Sequence, residues 1–296
     1  MSLFKISFKS SSSYVDSIKI SRAIIYAYNT LYPDKIDDLI NKVKDSYVSV
    51  SDLLLYKNKV YYPFPPINAL IDVNNTESIK NRKKRSEFID IDELSSIVEA
   101  FKETGYQGVN YSKIKHEGNG DNKGKPHKIL ISEPGINIFQ TPEIKDNKYK
   151  YNDIFTKELF IYDESCFYAR NSDKNIEATI NLLNDFGLSG RRSTGKGEVY
   201  IEKINDNFNE GFNGEGIYIL LSSFIPDNDY IKNIDFERSR YNIKTLQGKN
   251  INGNPIGPFR YFAPGSIFYL KGDVKGVSFI ENNGIIPFNP VITKVL

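Results

Sequence analysis

Glycines, hydroxyls and cations suited to an anion come together in Gly187-Leu188-Ser189-Gly190-Arg191-Arg192-Ser193-Thr194-Gly195-Lys196-Gly197. Four glycines, the hydroxyls of Ser193 and Thr194 beside the arginines, and three cations fall within eleven residues. Glycines let a backbone approach a ligand closely and expose its N–H groups, and arginines fork onto phosphate oxygens. The expected ligand is a nucleic-acid backbone. In that reading Arg191, Arg192 and Lys196 meet phosphates, and Ser193 and Thr194 add hydroxyl contacts. The competing structural reading is a glycine-rich turn carrying solvated cations.

Gly190 to Lys196 also fit the G-x-x-x-x-G-K core of a nucleotide-binding P-loop, but the context is wrong. Gly197 stands where a magnesium-ligating hydroxyl is required. A P-loop runs strand, loop, helix, so that the helix N-terminus faces the phosphates. Here the order is helix, loop, strand: Ile176, Ile180, Leu183 and Phe186 recur at helical spacing before the loop, and Val199 and Ile201 alternate with polar residues after it.

Other candidates for chemistry are sparse. His116 and His127 are the only histidines, both in the polar segment 115–128. Either could act as general base in a metal-independent ribonuclease, although a polar loop does not preorganise a base. No catalytic residue is assigned, and no metal site or cofactor is expected. The single cysteine, Cys166, excludes an internal disulfide and a cysteine-built zinc site. The pair Asp37-Asp38 and the acidic group Asp90, Asp92 and Glu93 read as solvated faces. The basic run Lys80, Arg82, Lys83, Lys84 and Arg85 reads either as a solvated face or as a contact along a nucleic-acid duplex. Arg238, Arg240 and Arg260 are isolated and suit packing or surface pairs.

The elements that must position the loop follow from hydropathy. A first strand alternates Phe4, Ile6 and Phe8 with Lys5, Ser7 and Lys9. A helix is expected to start at Ser21 as N-cap, where Ser21 and Arg22 could add a phosphate contact, and Pro33 closes it. A short second helix carries Ile36, Leu39, Ile40 and Val43. Val48 to Tyr56 and Val60 to Phe64 read as a hairpin turned at Lys57-Asn58. The stretch 68–150 reads as an insertion of hairpins and loops, with a short helix near Leu94 to Phe101. Strands follow at Leu159 to Tyr162 and Cys166 to Ala169, then the helix, the glycine loop and the closing strand.

With the insertion set aside, the order is strand, helix, strand, strand, helix, strand, the split βαβ arrangement of ferredoxin-like and RNA-recognition modules. The fold class is therefore α+β: a ferredoxin-like domain over residues 1–204 with an insertion at about 68–150, and a smaller β-rich domain over 205–296. The second domain is expected to be ferredoxin-like as well, and residues 205–216 read as its linker.

At 296 residues the chain has room for two domains. A hydrophobic share of 40% and an aromatic share of 13% are those of a folded protein. A net charge of +2 means that any nucleic-acid contact must come from local basic clusters. With no long apolar run and no signal-like N-terminus, a cytoplasmic protein without membrane contact is expected.

The phrase "LLNDFGLSGRRSTGKGEVYIEKI", Leu182 to Ile204, resembles the hallmark glycine-rich basic loop of the RAMP superfamily of CRISPR proteins. The opening "LFKISFKS", the segment "ELFIYDESCFYA" ahead of the loop and the late "FAPGSIFYL" make the chain most similar to the fourth-subunit family of type III-A Csm effector complexes. One departure is Arg22 after Ser21, where many relatives carry an acidic residue. The resemblance implies a non-catalytic, crRNA-binding subunit in antiviral defence. It would cap the 5′ handle of the guide, contact the large polymerase-like subunit and the backbone RAMP subunit, and meet target RNA indirectly. A metal-independent RAMP endoribonuclease that processes repeat RNA is the alternative within the same superfamily.

Overall fold

The computed structural model describes residues 1–68, 87–110, 128–145, 148–162, 164–170, 174–188, 196–205, 211–249, 255–281 and 284–295. The alternation at the N-terminus forms strand β1 (Ser2–Phe8), with Phe4 and Ile6 buried on one face. Leu3 is buried on the opposite face. A strand apolar on both sides belongs in the middle of a layered structure, and β1 is an inner strand.

Helix α1 spans Ser17–Leu31, four residues earlier than the expected start at Ser21. Asp16 is the N-cap: its backbone is extended and its carboxylate accepts the Lys19 N–H at 2.8 Å. Ser21 is therefore a buried position within the helix rather than its cap. Pro33 opens a short 3-10 turn that leads into α2 (Ile36–Lys44). Strands β2 (Leu54–Tyr56) and β3 (Val60–Pro63) form the expected hairpin, and Asn58 supplies its left-handed turn residue at φ 60°. The hairpin's first strand is shorter than the hydropathy predicts. Ahead of it the Ser51 hydroxyl takes the Tyr168 N–H at 2.9 Å and interrupts the ladder.

After β4 (Phe88–Ile89), helix α3 (Ile91–Glu103) begins at Asp90, which caps the Glu93 N–H at 2.9 Å. Leu94, Ile97, Val98 and Phe101 on this helix are all fully buried, so the helix is a core element. Strands β5 (Lys128–Lys145) and β6 (Lys148–Tyr162) form a long antiparallel hairpin. β7 (Ser165–Ala169), α4 (Lys174–Phe186) and β8 (Val199–Ile204) complete the first half of the chain.

The six-stranded sheet runs β4-β3-β2-β7-β1-β8, every neighbour antiparallel. Ile20 and Ile24 of α1 and Ile176, Ile180 and Leu183 of α4 cover one face, in a cluster with Phe4, Phe167 and Val199. The other face carries Leu3, Leu54, Cys166 and Tyr168, which share a second cluster with α3.

The remainder is β-rich, as expected. Strands β9 (Gly216–Leu220), β10 (Ile234–Arg240), β13 (Ile267–Leu270) and β16 (Ile292–Lys294) form an antiparallel sheet in the order β10-β13-β9-β16. Two hairpins accompany it: β11 (Ile243–Lys249) with β12 (Pro255–Phe262), and β14 (Ser278–Glu281) with β15 (Gly284–Pro287). The strand period of two divides β9: Ile217 and Ile219 join the cluster with Leu3 and Tyr168, whereas Tyr218 and Leu220 face a third cluster with Phe224 and Phe268. Hydropathy does not reveal β10, because Asp235, Glu237, Arg238 and Arg240 mask its strand character; it lies at the edge of its sheet. Among the described residues, no helix is long and apolar enough to cross a membrane.

Candidate nucleic-acid interface

The glycine-rich loop has a well-defined root. Gly187 ends α4 at φ 72°, a left-handed geometry that favours glycine, and donates its N–H to the Leu183 carbonyl at 2.7 Å. Leu188 is buried in the α1–α4 cluster and anchors the outgoing strand of the loop. Its N–H reaches the Gly197 carbonyl at 2.9 Å and closes the root. Gly197, at φ 75°, donates to the Ser11 carbonyl at 3.1 Å.

The segment after β1 holds the returning strand at three more points. Lys196 Nζ stands 3.2 Å from the Ser11 hydroxyl. The Glu198 N–H reaches the Ser10 hydroxyl at 3.3 Å, and the Lys9 N–H donates to the Glu198 carbonyl at 3.0 Å. A Lys9–Glu198 ion pair of 3.0 Å lies on the exposed side. The described ends of the segment, Leu188 and Lys196 to Glu198, are thus held to each other and to the residues after β1.

Gly187, Lys196 and Gly197 thus come together at the root. Ser189, Gly190, Arg191, Arg192, Ser193, Thr194 and Gly195 lie outside the described residues, as do Lys80, Arg82, Lys83, Lys84 and Arg85, and also His116 and His127. Ser21 and Arg22 stand in the second turn of α1, Ser21 buried and Arg22 exposed. Of the N-terminal amides of α1, those of Ser17 and Lys19 are bonded to the carboxylates of Asp52 and Asp16. By hydropathy Ser10 to Ser13 are a plain polar connector, and their part in the root is not legible from it. Four consecutive serines directly after a strand are the available signal.

The same connector leads from the root to a buried polar centre. Asp52 accepts the Ser17 N–H at 2.8 Å through Oδ1, and the Tyr14 hydroxyl stands 3.5 Å from Oδ2. Burial, reinforced by the charge of Asp16, pushes the Asp52 carboxyl up to about 7, although the Ser17 N–H acts in the opposite direction. Burial likewise raises the Tyr14 hydroxyl and lifts that of Tyr162 to about 12. Tyr162 accepts the Val15 N–H at 3.1 Å. Tyr14, Asp52, Phe64, Phe88, Tyr162 and Lys244 help to line a cleft of about 160 Å³.

Two of the isolated arginines, Arg238 and Arg240, pack on aromatic rings. Arg238 lies over Tyr269 at 4.8 Å and over Tyr106 at 5.7 Å. Arg240 lies over Phe101 at 5.1 Å and donates to the Tyr106 carbonyl. They join α3 to the sheet of β10 and β13. Arg260 is exposed on β12. Among the described residues, no group of histidine, cysteine or carboxylate side chains could hold a metal ion.

No family model matches the chain. Among curated proteins it is similar to the CRISPR system protein Csm4 of Methanocaldococcus jannaschii, with 28% identity over 274 aligned positions that cover 78% of this chain and 72% of the relative. Among solved structures the fold is similar to a chain of the Csm3–Csm4 subcomplex of the type III-A interference complex. That match has a TM-score of 0.62 and 18% identity, and covers 99% of both chains. A chain of the Csm1–Csm4 cassette in complex with cA4 matches with a TM-score of 0.54 and 12% identity, covering 98% of this chain and 97% of that one. The resemblance to a RAMP protein of the Csm type, carried in the sequence by the loop and its flanks, is borne out by these likenesses.

Proposed function

We propose that this chain, a Csm4-like RAMP subunit, binds crRNA in a type III-A Csm effector complex, where it caps the 5′ handle without cutting it. The observation that carries this reading is the sequence likeness to Csm4 along 78% of the chain. The stapled root supplies the mechanism. Leu188, Gly197 and Ser11 fix the two ends of a segment bearing Arg191, Arg192 and Lys196, and these cations meet consecutive phosphates while loop amides satisfy the remaining oxygens.

The reading of residues 1–204 as a ferredoxin-like module with an insertion near 68–150 is supported by the inner strand order β2-β7-β1-β8 with α1 and α4 on one face. Residues 205–296 make the smaller β-rich part, whose ferredoxin-like character is part of this proposal. The likeness to chains of Csm3–Csm4 and Csm1–Csm4 assemblies supports partners of two kinds, the large polymerase-like subunit and the backbone RAMP subunit. Ser21, Arg22 and the run Lys80 to Arg85 are secondary candidates for RNA contact.

The test is a salt series of guide-RNA affinity. Replacing Arg191 and Arg192 by alanine should weaken binding by about 1–3 kcal/mol per lost contact. The slope of log K against log salt should fall by about two. An unchanged slope and affinity would refute the proposal. A processing endoribonuclease would instead cut repeat RNA without metal and lose that activity in His116→Ala or His127→Ala. Here the RNA should stay intact with the parent protein.

A further inference from the structure

We infer that Asn184 closes the outer edge of the six-stranded sheet against pairing with the same edge of a second copy of this chain. The inference is independent of the RNA reading, and its test contains no RNA. Among the described residues, β8 ends the sheet, with β1 on its inner side. In an antiparallel pair, alternate residues bond to the neighbouring strand and the others turn their N–H and C=O groups away. The Lys9 N–H donates to the Glu198 carbonyl at 3.0 Å. The register continues with Tyr200 opposite Ser7 and Glu202 opposite Lys5. Glu198, Tyr200 and Glu202 therefore bond toward β1, and the backbone of Val199, Ile201 and Lys203 faces outward.

An outward row of this kind is a template for a further strand. The residues suit such an addition, because Val199, Tyr200 and Ile201 are β-branched or aromatic. The edge is also complementary to itself. Two copies of β8 paired antiparallel about Ile201 set Tyr200 opposite Glu202 and Val199 opposite Lys203, so that no like charges face each other. Tyr200 and Glu202 are exposed and leave the approach open.

What stands in the way is one side chain. A carboxamide carries both an acceptor and a donor, and Asn184 in the last turn of α4 uses both on the same residue. Its Oδ1 accepts the Ile201 N–H at 2.6 Å, and its Nδ2 donates to the Ile201 carbonyl at 3.3 Å. Both bonds that an added strand would make at the centre of the edge are thus already made. Glu177, two turns earlier, pairs with Lys203 at 2.5 Å and holds the helix along the same strand. Asparagine is among the weaker helix formers, so its presence in α4 answers to this contact and not to helix propensity. A mere tie between α4 and β8 would affect stability alone. Closure of the edge governs association, and the two are separable.

The experiment uses the full chain without RNA. Sedimentation over a concentration series gives the mass, and hydrogen exchange resolved to single amides gives the protection of Ile201 and Lys203. The parent should sediment as one chain, with the Ile201 amide exchanging at least about tenfold more slowly than that of Lys203. Asn184→Ala should pair, doubling the mass at the upper concentrations while the Lys203 amide gains protection. Adding Tyr200→Glu sets carboxylates against Glu202 of the second copy and should restore the single chain. A single-chain Asn184→Ala whose Lys203 amide stays unprotected overturns the inference, as does an association that Tyr200→Glu leaves unchanged. The parent supplies a second measurement that needs no variant to fold. Equal exchange at Ile201 and Lys203, or a parent already paired with its Lys203 amide protected, overturns the inference as well.

Discussion

Asp52 shows how one residue can join several elements and carry a cost for it. Its backbone N–H bonds to the Leu221 carbonyl at 2.7 Å, and its carboxyl receives the first amide of α1, whose Ser17 hydroxyl in turn accepts the Ser223 N–H at 3.0 Å. The carboxyl is held at about 7 in the fold against an ordinary value of 3.8. An acid whose folded value is raised binds its proton more tightly when folded. Its contribution to stability is complete below about pH 3.8 and lost as pH rises through about 7. Every tenfold gain in proton affinity is worth about 1.4 kcal/mol, so the whole effect is on the order of a few kcal/mol. Thermal melting between pH 5 and pH 8 should fall more steeply for the parent protein than for Asp52→Asn; parallel pH profiles would refute this. Nothing in the local sequence Ser51-Asp52-Leu53 signals the role, because burial of a carboxylate is decided by what later segments place over it.

At the level of elements, α1 illustrates how far local chemistry is legible. Periodicity picks out Ile24, Ile25, Tyr28 and Leu31, of which Ile24 and Tyr28 are buried and Leu31 is exposed, and it also gives the end near Pro33. The start of the helix is not legible in this way, because both Asp16 and Ser21 are good capping residues, and Ser21 sits next to the stronger apolar run. The choice of Asp16 follows from packing: Ile18, one turn before Ser21, is buried against Phe288 and Ile286. Asp16→Ala should therefore destabilise the protein by about 1 kcal/mol through loss of the cap, whereas Ser21→Ala should leave capping untouched. Denaturant midpoints of the two variants would check this; equal losses would count against the assignment. The loop is a second example. Its glycines, its cations and the helix and strand on either side are all evident from residue types, but its attachment to Ser10 and Ser11 joins segments about 185 positions apart.

For the whole molecule, the decisive feature is the cluster between the two sheets. Leu3, Leu54, Cys166 and Tyr168 from the six-stranded sheet pack with Phe101 and Val98 of α3 and with Ile217, Ile219 and Ile267 of the later sheet. Asn289 adds a polar tie across the same chain distance, donating to the carbonyls of Val43 at 2.6 Å and Val48 at 3.3 Å. Residues on either side of position 205 are thus buried by each other, although the later sheet keeps a cluster of its own around Phe224 and Phe268. Calorimetry should show one cooperative unfolding transition, because exposing either side strips apolar surface from the other. Two well-separated transitions would contradict this.

By itself, the sequence determined the class of elements, the order of those around the first sheet and the composition of the loop, since periodicity, capping and glycine content act over a few residues. Only the tertiary structure decided that α3 is core, that the serines after β1 hold the root, and that Asp52 ends beneath an aromatic cleft. Those outcomes depend on contacts between segments a hundred or more residues apart, and the free energy of burial that selects them leaves no mark on either segment read alone.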